Sequence, residues 1–144
     1  MLTLILVKIL LAAAVGIIIG TISNRRTAPV FVIVCMGAAL LTIVSTEYFK
    51  IMSFPWYGDP GRLSAQAISA IGFIGTGMIW ISERNEVEGL NEAASLWLTA
   101  ILGMIIGVGL QSQSIIALLV VLSFYWLFDL VMKWLRRRKT KTGV

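Results

Sequence analysis

Residues 2–22 read LTLILVKILLAAAVGIIIGTI, an apolar run broken by a single charge, Lys8. About 20 apolar residues, coiled as an α-helix rising ~1.5 Å per residue, cross a ~30 Å hydrocarbon core. The same pattern returns at 28–48, 63–81, 93–110 and 115–135. The sequence therefore predicts an all-α, polytopic membrane helix bundle of about five transmembrane helices, filling residues 1–135. A basic cytoplasmic tail is expected at 136–144. The connections are too short for a second folded domain, so function has to reside in the bundle or its loops. Two alternatives stand beside this reading. The third and fourth segments, short and glycine-rich, also fit a re-entrant pair covered by protein or water. The first segment also fits a signal peptide, although its apolar run continues through Ile17, Ile18 and Ile19 without a cleavage site.

Composition agrees. Of 144 residues, 58% are hydrophobic and 13% charged, against roughly 45–50% and 25% in soluble domains. Mean hydropathy is +0.92. A soluble fold of this size could not hide that much apolar surface. With no His and one Cys, an intrachain disulfide, a His-based triad and a Cys/His zinc site are excluded. The net charge of +5 does not point to nucleic acid, because six of the 12 basic residues fall between Lys133 and Lys141. Such a cluster anchors a helix end beside anionic headgroups. With five spans, Arg25, Arg26, Arg84 and this tail share one side, and only Lys50 and Arg62 lie on the other. The positive-inside rule then predicts N-terminus out and C-terminus in.

Within lipid, helices associate through close backbone approach and interhelical hydrogen bonds rather than through burial of apolar area. Gly16 and Gly20 form GxxxG in the first span, and Gly103 and Gly107 in the fourth. On the third, Ala65, Ser69, Gly72 and Thr76 share one face, with Gly75 and Gly77 beside it. Helix packing is the plain reading of these glycines.

The third helix has a legible start: Asp59 as cap, Pro60 at the first helical position, Arg62 in the first turn. Arg62, Gln66, Ser69 and Phe73 then follow one face. A guanidinium and an amide entering lipid require a partner or water. Pairing of Asp59 with Arg62, a polar entrance, and a contact between helices all fit. Asn91 is expected to cap the fourth helix, with Glu92 at its positive dipole end. Glu83, Glu86 and Glu88 precede them and are weak candidates for touching a metal such as Mg²⁺, which prefers oxygen ligands. A solvated acidic loop is the simpler account. Glu47 can pair with Lys50 and Asp129 with Lys133. Lys8 is expected to snorkel to the outer interface, and Cys35 to fill space as a small apolar residue.

The strings GDPGRLSAQAISAIGFIGTGMIW at 58–80 and VEGLNEAASLWLTAILGMIIGVGL at 87–110 resemble the central signature of the MgtC/SapB family of bacterial inner-membrane proteins. Asp59, Arg62 and Gln66 match its D-x-x-R-x-x-x-Q element. Gly72, Phe73, Gly75 and Gly77 match G-F-x-G-x-G. Gly89, Leu90, Asn91, Ala93, Ala94 and Trp97 match G-L-[NT]-x-A-A-[ST]-x-W, and residues 35–40 (CMGAAL) resemble the second-span stretch. Two elements depart. Gly20-Thr21-Ile22-Ser23-Asn24-Arg25 lacks the acid of the family's G-x-E-R, and Thr27-Ala28-Pro29-Val30 replaces G-L-R-T. The chain is similar to the short form without a soluble C-terminal domain.

The resemblance implies a non-catalytic regulatory protein, linked to growth at low magnesium or survival inside host cells. It implies contact with a second copy, as a homo-oligomer, or with a membrane partner such as F-type ATP synthase. On this reading the glycine-faced third and fourth helices pack against that partner. No cofactor is expected. An ion or solute conduit is the competing class, with Asp59, Arg62 and Gln66 at the outer mouth and the 83–92 loop at the inner one. An enzyme fits least, because no nucleophile–base pair can be assembled.

Overall fold

A computed structural model describes residues 2–52, 59 and 61–141. The chain divides into two compact units, Met1–Gly109 and Leu110–Val144. The first holds α1 (Leu2–Ser23), α2 (Ala28–Met52), α3 (Gly61–Thr76), a hairpin of β1 (Trp80–Ile81) and β2 (Val87–Glu88), and α4 (Leu90–Val108). The second holds α5 (Ser112–Lys141). Helix dominates because hydrocarbon offers no partners to backbone N–H and C=O groups, which a helix satisfies internally.

The turn between α1 and α2 follows from its sequence. Asn24 Oδ1 accepts a bond from the Arg26 N–H at 3.1 Å, and Thr27 N–H donates to the Asn24 carbonyl at 3.1 Å. Pro29 then sits in the first turn of α2, where its missing N–H has no intrahelical partner to lose.

The centre of the first unit is α1, α2 and α4. Ala12, Val15, Gly16, Ile19 and Gly20 form the buried face of α1. From α2 come Phe31, Cys35, Ala38, Ala39 and Thr42, and from α4 Leu96, Thr99, Ala100, Leu102 and Ile106, all buried. The hydroxyls in this core are satisfied by their own helices. Thr42 Oγ1 donates to the Ala38 carbonyl at 2.9 Å, and Thr99 Oγ1 to that of Ser95 at 2.7 Å. Neither therefore adds the penalty of an unpaired polar group. The third helix packs mainly on α4 and less on α2.

Among the described residues, four helices are long and apolar enough to cross a membrane: Leu2–Ser23, Ala28–Glu47, Leu90–Val108 and Ser112–Leu135. The third segment differs from the expected 63–81 span. Its helix ends at Thr76 after 16 residues, about 24 Å. The last turn tightens: the N–H groups of Gly77, Met78 and Ile79 donate to the carbonyls of Ile74, Gly75 and Thr76, bonds of the 3₁₀ type that commonly close a helix. Trp80 and Ile81, expected to end that span, lie in the hairpin, where Trp80 pairs with Glu88 and Ile81 with Val87. The fourth segment is one unbroken helix, Leu90–Val108.

In the second unit α5 runs on past the apolar stretch to Lys141. Asp129 and Lys133, one turn apart, pair at 2.7 Å, as Glu47 and Lys50 do at 2.8 Å in α2.

Candidate functional site

Three of the polar residues singled out from the sequence, Asp59, Arg62 and Gln66, fall at α3. Asp59 Oδ1 accepts the Gly61 N–H at 2.8 Å, and the Arg62 N–H donates to the Asp59 carbonyl at 3.1 Å. Asp59 thus opens the helix as a cap does. The ion pairs among the described residues are Glu47–Lys50 and Asp129–Lys133, and the conceivable Asp59–Arg62 pair is not among them. Pro60 lies outside the described residues.

Arg62, Gln66, Ser69, Gly72, Phe73 and Thr76 are all exposed, with Phe73 at 81%. Ser69 Oγ donates to the Ala65 carbonyl at 3.3 Å and Thr76 Oγ1 to that of Phe73 at 2.7 Å. Both hydroxyls are therefore served within the helix. The Gln66 amide, with two donors and an acceptor, finds no such local partner among the described residues. It is the one strongly polar group between Arg62 and the end of α3 that asks for something outside the helix.

The glycines separate into two sets. A Cβ added to Gly16 would lie 2.7 Å from Val32 Cα, and one on Gly20 would lie 2.8 Å from Ala28 Cα. On α4, a Cβ at Gly103 would overlap the Cys35 carbonyl, and one at Gly107 would lie 2.5 Å from the Ala39 carbonyl. Both GxxxG pairs thus face α2 of the same chain, on two flanks, rather than a partner helix. Gly75 meets Ala93 at ordinary contact, 3.7 Å, while Gly72 has nothing within 4 Å. Gly77 is nearest its own chain, at the Ile74 carbonyl. Ala93 is buried, and Ala94 and Trp97 are exposed.

Asn91 does not cap α4. The N-cap is Gly89, at φ +82°, and Asn91 falls inside the first turn with Glu92. The Ala93 N–H donates to the Gly89 carbonyl at 2.9 Å, so the left-handed glycine has displaced the expected cap by two residues. Glu92 still sits where the dipole favours an acid. Glu83, Glu86 and Glu88 are exposed, and no group of three or more candidate metal ligands occurs among the described residues.

Lys8 is the polar residue whose place the sequence did not reveal. Its Nζ donates to the Gly107 carbonyl at 2.8 Å and lies 3.5 Å from that of Val108. The ammonium therefore caps the negative end of α4. Replacing it leaves terminal carbonyls of α4 without their donor at a half-buried site. Lys8→Met should lower stability in detergent by about 2 kcal/mol, read as a drop in unfolding midpoint. Amides in the last turn of α4 should exchange faster than those near Gly89. An unchanged midpoint would mean that the bond is incidental.

These features define a polytopic helical membrane protein with a polar, exposed helix face. The sequence matches the MgtC family over residues 9–134, and the chain belongs to that family. It is 35% identical to an uncharacterized protein of Haemophilus influenzae, an alignment that takes in 95% of this chain and 62% of that one. With SapB of Bacillus subtilis the identity is 33% over 82% of this chain and 53% of the relative. With YhiD of Escherichia coli, whose name describes it as a candidate magnesium transporter, identity is 42% over 58% of this chain and 40% of the relative. The chain thus spans less than two thirds of these curated relatives. No solved structure matches it.

Proposed function

We propose that this chain is a non-catalytic regulatory protein of the bacterial inner membrane, acting by helix contact with a second copy or a membrane partner. The observation that carries the reading is the exposed α3 face, with the Gln66 amide unserved by its own helix. An amide facing lipid is costly until another polar group meets it, and one interhelical hydrogen bond of this kind contributes about 1 kcal/mol. The family resemblance adds F-type ATP synthase as a partner and low-magnesium adaptation or intracellular survival as the setting. The distribution of Lys and Arg supports N-terminus out and C-terminus in, which would put Arg62 near the outer surface.

The test is cross-linking in native membranes with a photoreactive residue at Phe73, comparing the wild type with Gln66→Leu. The expected result is one dominant adduct that falls several-fold in the variant while its unfolding midpoint stays the same. Equal yields would defeat the reading.

A cation conduit is the second reading, favoured by the name of the Escherichia coli relative and by Asp59 and Arg62 at the start of α3. Proteoliposomes holding the purified protein decide between them. A magnesium flux abolished by Arg62→Ala would establish the conduit, whereas no flux above protein-free vesicles is expected for a contact module.

A further inference from the structure

The short third helix and the hairpin after it raise a question of depth. At 16 residues, α3 covers about 24 Å, roughly 6 Å less than a hydrocarbon core. Its two neighbours in the packing, α2 and α4, meet the length and hydropathy needed to cross. Directly beyond α3 the chain reads Gly77-Met78-Ile79-Trp80-Ile81, and it returns through Val87, Glu88, Gly89 and Leu90. Apolar side chains here are open: Ile81 is 70% exposed, Val87 62% and Trp80 54%. In water such a cluster beside a short turn would be a liability.

Register sorts these side chains. Ile81 stands opposite Val87 and Trp80 opposite Glu88, and neighbouring pairs in a hairpin point to opposite faces. One face is therefore wholly apolar, Ile81 with Val87. The other combines an indole, which favours the headgroup level, with a carboxylate. The connecting turn carries Glu83, Arg84, Asn85 and Glu86, all exposed. Pairing of Trp80 with Glu88 and the tightened end of α3 supply partners for part of this backbone. The N–H and C=O groups of the non-hydrogen-bonded pair Ile81 and Val87 point away from the partner strand and keep the hairpin at the interface rather than in the hydrocarbon core. Ser82 N–H donates to the Glu86 carbonyl at 2.9 Å, and Asn85 N–H to that of Ser82 at 2.9 Å.

The geometry points to a lipid-contacting hairpin: it lies in the membrane interface with Ile81 and Val87 against the acyl chains. It makes up the depth that α3 lacks. Its acidic turn stays in water, and the Trp80–Glu88 face stays at headgroup level. The occupant of the apolar face is lipid, because the hairpin leads directly into α4, a helix long and apolar enough to cross a membrane, and follows directly on α3, which packs on α4. The inference is independent of which partner meets Gln66.

The experiment uses the full chain in phosphatidylcholine nanodiscs. Environment-sensitive fluorophores are attached to single cysteines at positions 81, 87 and 85 in a Cys35→Ala background. Labels at 81 and 87 should be blue-shifted, shielded at least five-fold from aqueous iodide relative to 85, and quenched by doxyl-labelled lipid. Equal iodide quenching at all three positions would overturn the proposal. So would shielding at 81 and 87 without quenching by doxyl lipid, since that would assign the face to a protein. Hydrogen exchange of the unsubstituted protein covers a failure of the cysteine variants to fold. The Ile81 and Val87 amides, which take no part in the ladder hydrogen bonds, should exchange at least ten-fold slower in nanodiscs than the amides of Glu83 and Arg84, and equal rates would overturn it.

Discussion

Gly103→Leu should leave no folded protein in detergent extracts. Even a single methyl at this position would overlap the Cys35 carbonyl and sit 3.1 Å from Ala38 Cβ. The obstacle is backbone in a buried helix, which cannot swing away as the tip of a lysine can. Overpacking a close contact costs about 1–3 kcal/mol for small intrusions. A whole leucine side chain against a backbone exceeds that, at about 5 kcal/mol or more, comparable to the whole margin of about 5–15 kcal/mol that keeps a domain folded. Gly107→Ala should act in the same direction with a smaller loss, about 2 kcal/mol, because its Cβ would lie 2.5 Å from the Ala39 carbonyl and 2.8 Å from Thr42 Cβ. Gly72→Ala and Gly37→Ala are the controls. Both positions have nothing within 4 Å, and alanine in place of glycine inside a helix is worth about 0.5–1 kcal/mol in its favour. The check is the unfolding midpoint of each variant after purification by gel filtration. If Gly103→Leu yields monodisperse, heat-stable protein, the close approach of α4 to α2 is wrong.

The second large effect is expected at Gly89. It adopts φ +82°, in the left-handed region where an L side chain costs about 1–2 kcal/mol. A Cβ there would also collide with the Met78 carbonyl and lie 2.9 Å from the Trp80 ring. Conformation and contact act together, so Gly89→Ala should lose on the order of 3 kcal/mol. The loss should be local in character: proteolysis between Met78 and Leu90 should accelerate more than cleavage between α1 and α2. A discriminating comparison is Gly89→Asn, which tolerates the left-handed backbone better yet meets the same carbonyl. If Gly89→Asn were as stable as the wild type, the clash with Met78 would be refuted.

The fold was written in the apolar runs because hydropathy over a window reports the solvent that a helix lies in, and lipid is a demanding solvent. Residues 2–22 and 115–135 needed nothing else. The end of α3 was hidden for the same reason. Gly77-Met78-Ile79-Trp80-Ile81 is as apolar as the helix before it, so hydropathy gives no sign that the chain turns at Thr76. What stops it is a tightened last turn and, beyond β1, the left-handed Asn85 (φ +59°) that turns the chain back into β2. Both are backbone events that composition does not record. The α4 cap shows the same limit. Asn91 has the right side chain, but the preceding glycine reaches the capping geometry first.

At the candidate site, Asp59, Arg62 and Gln66 stood out because polar groups are conspicuous in an apolar chain. Lys8 was equally conspicuous, yet its partner is a backbone carbonyl 99 positions away, and carbonyls leave no mark in a sequence. The GxxxG pairs were visible as small residues one turn apart, but spacing alone cannot say which neighbour comes close. The structure gives both to α2, which removes Gly103 and Gly107 from the surfaces free to meet a partner and leaves the α3 face.

That arrangement has a mechanical consequence. Because Gly16 and Gly20 key into one flank of α2 and Gly103 and Gly107 into another, rolling α2 by one residue, about 100°, would drive bulk into two notches at once. The three helices are interlocked like the pins of a hinge that has been riveted shut. Any shape change that carries a signal through this protein must therefore swing on the parts outside the rivets, leaving the trio itself as the fixed frame.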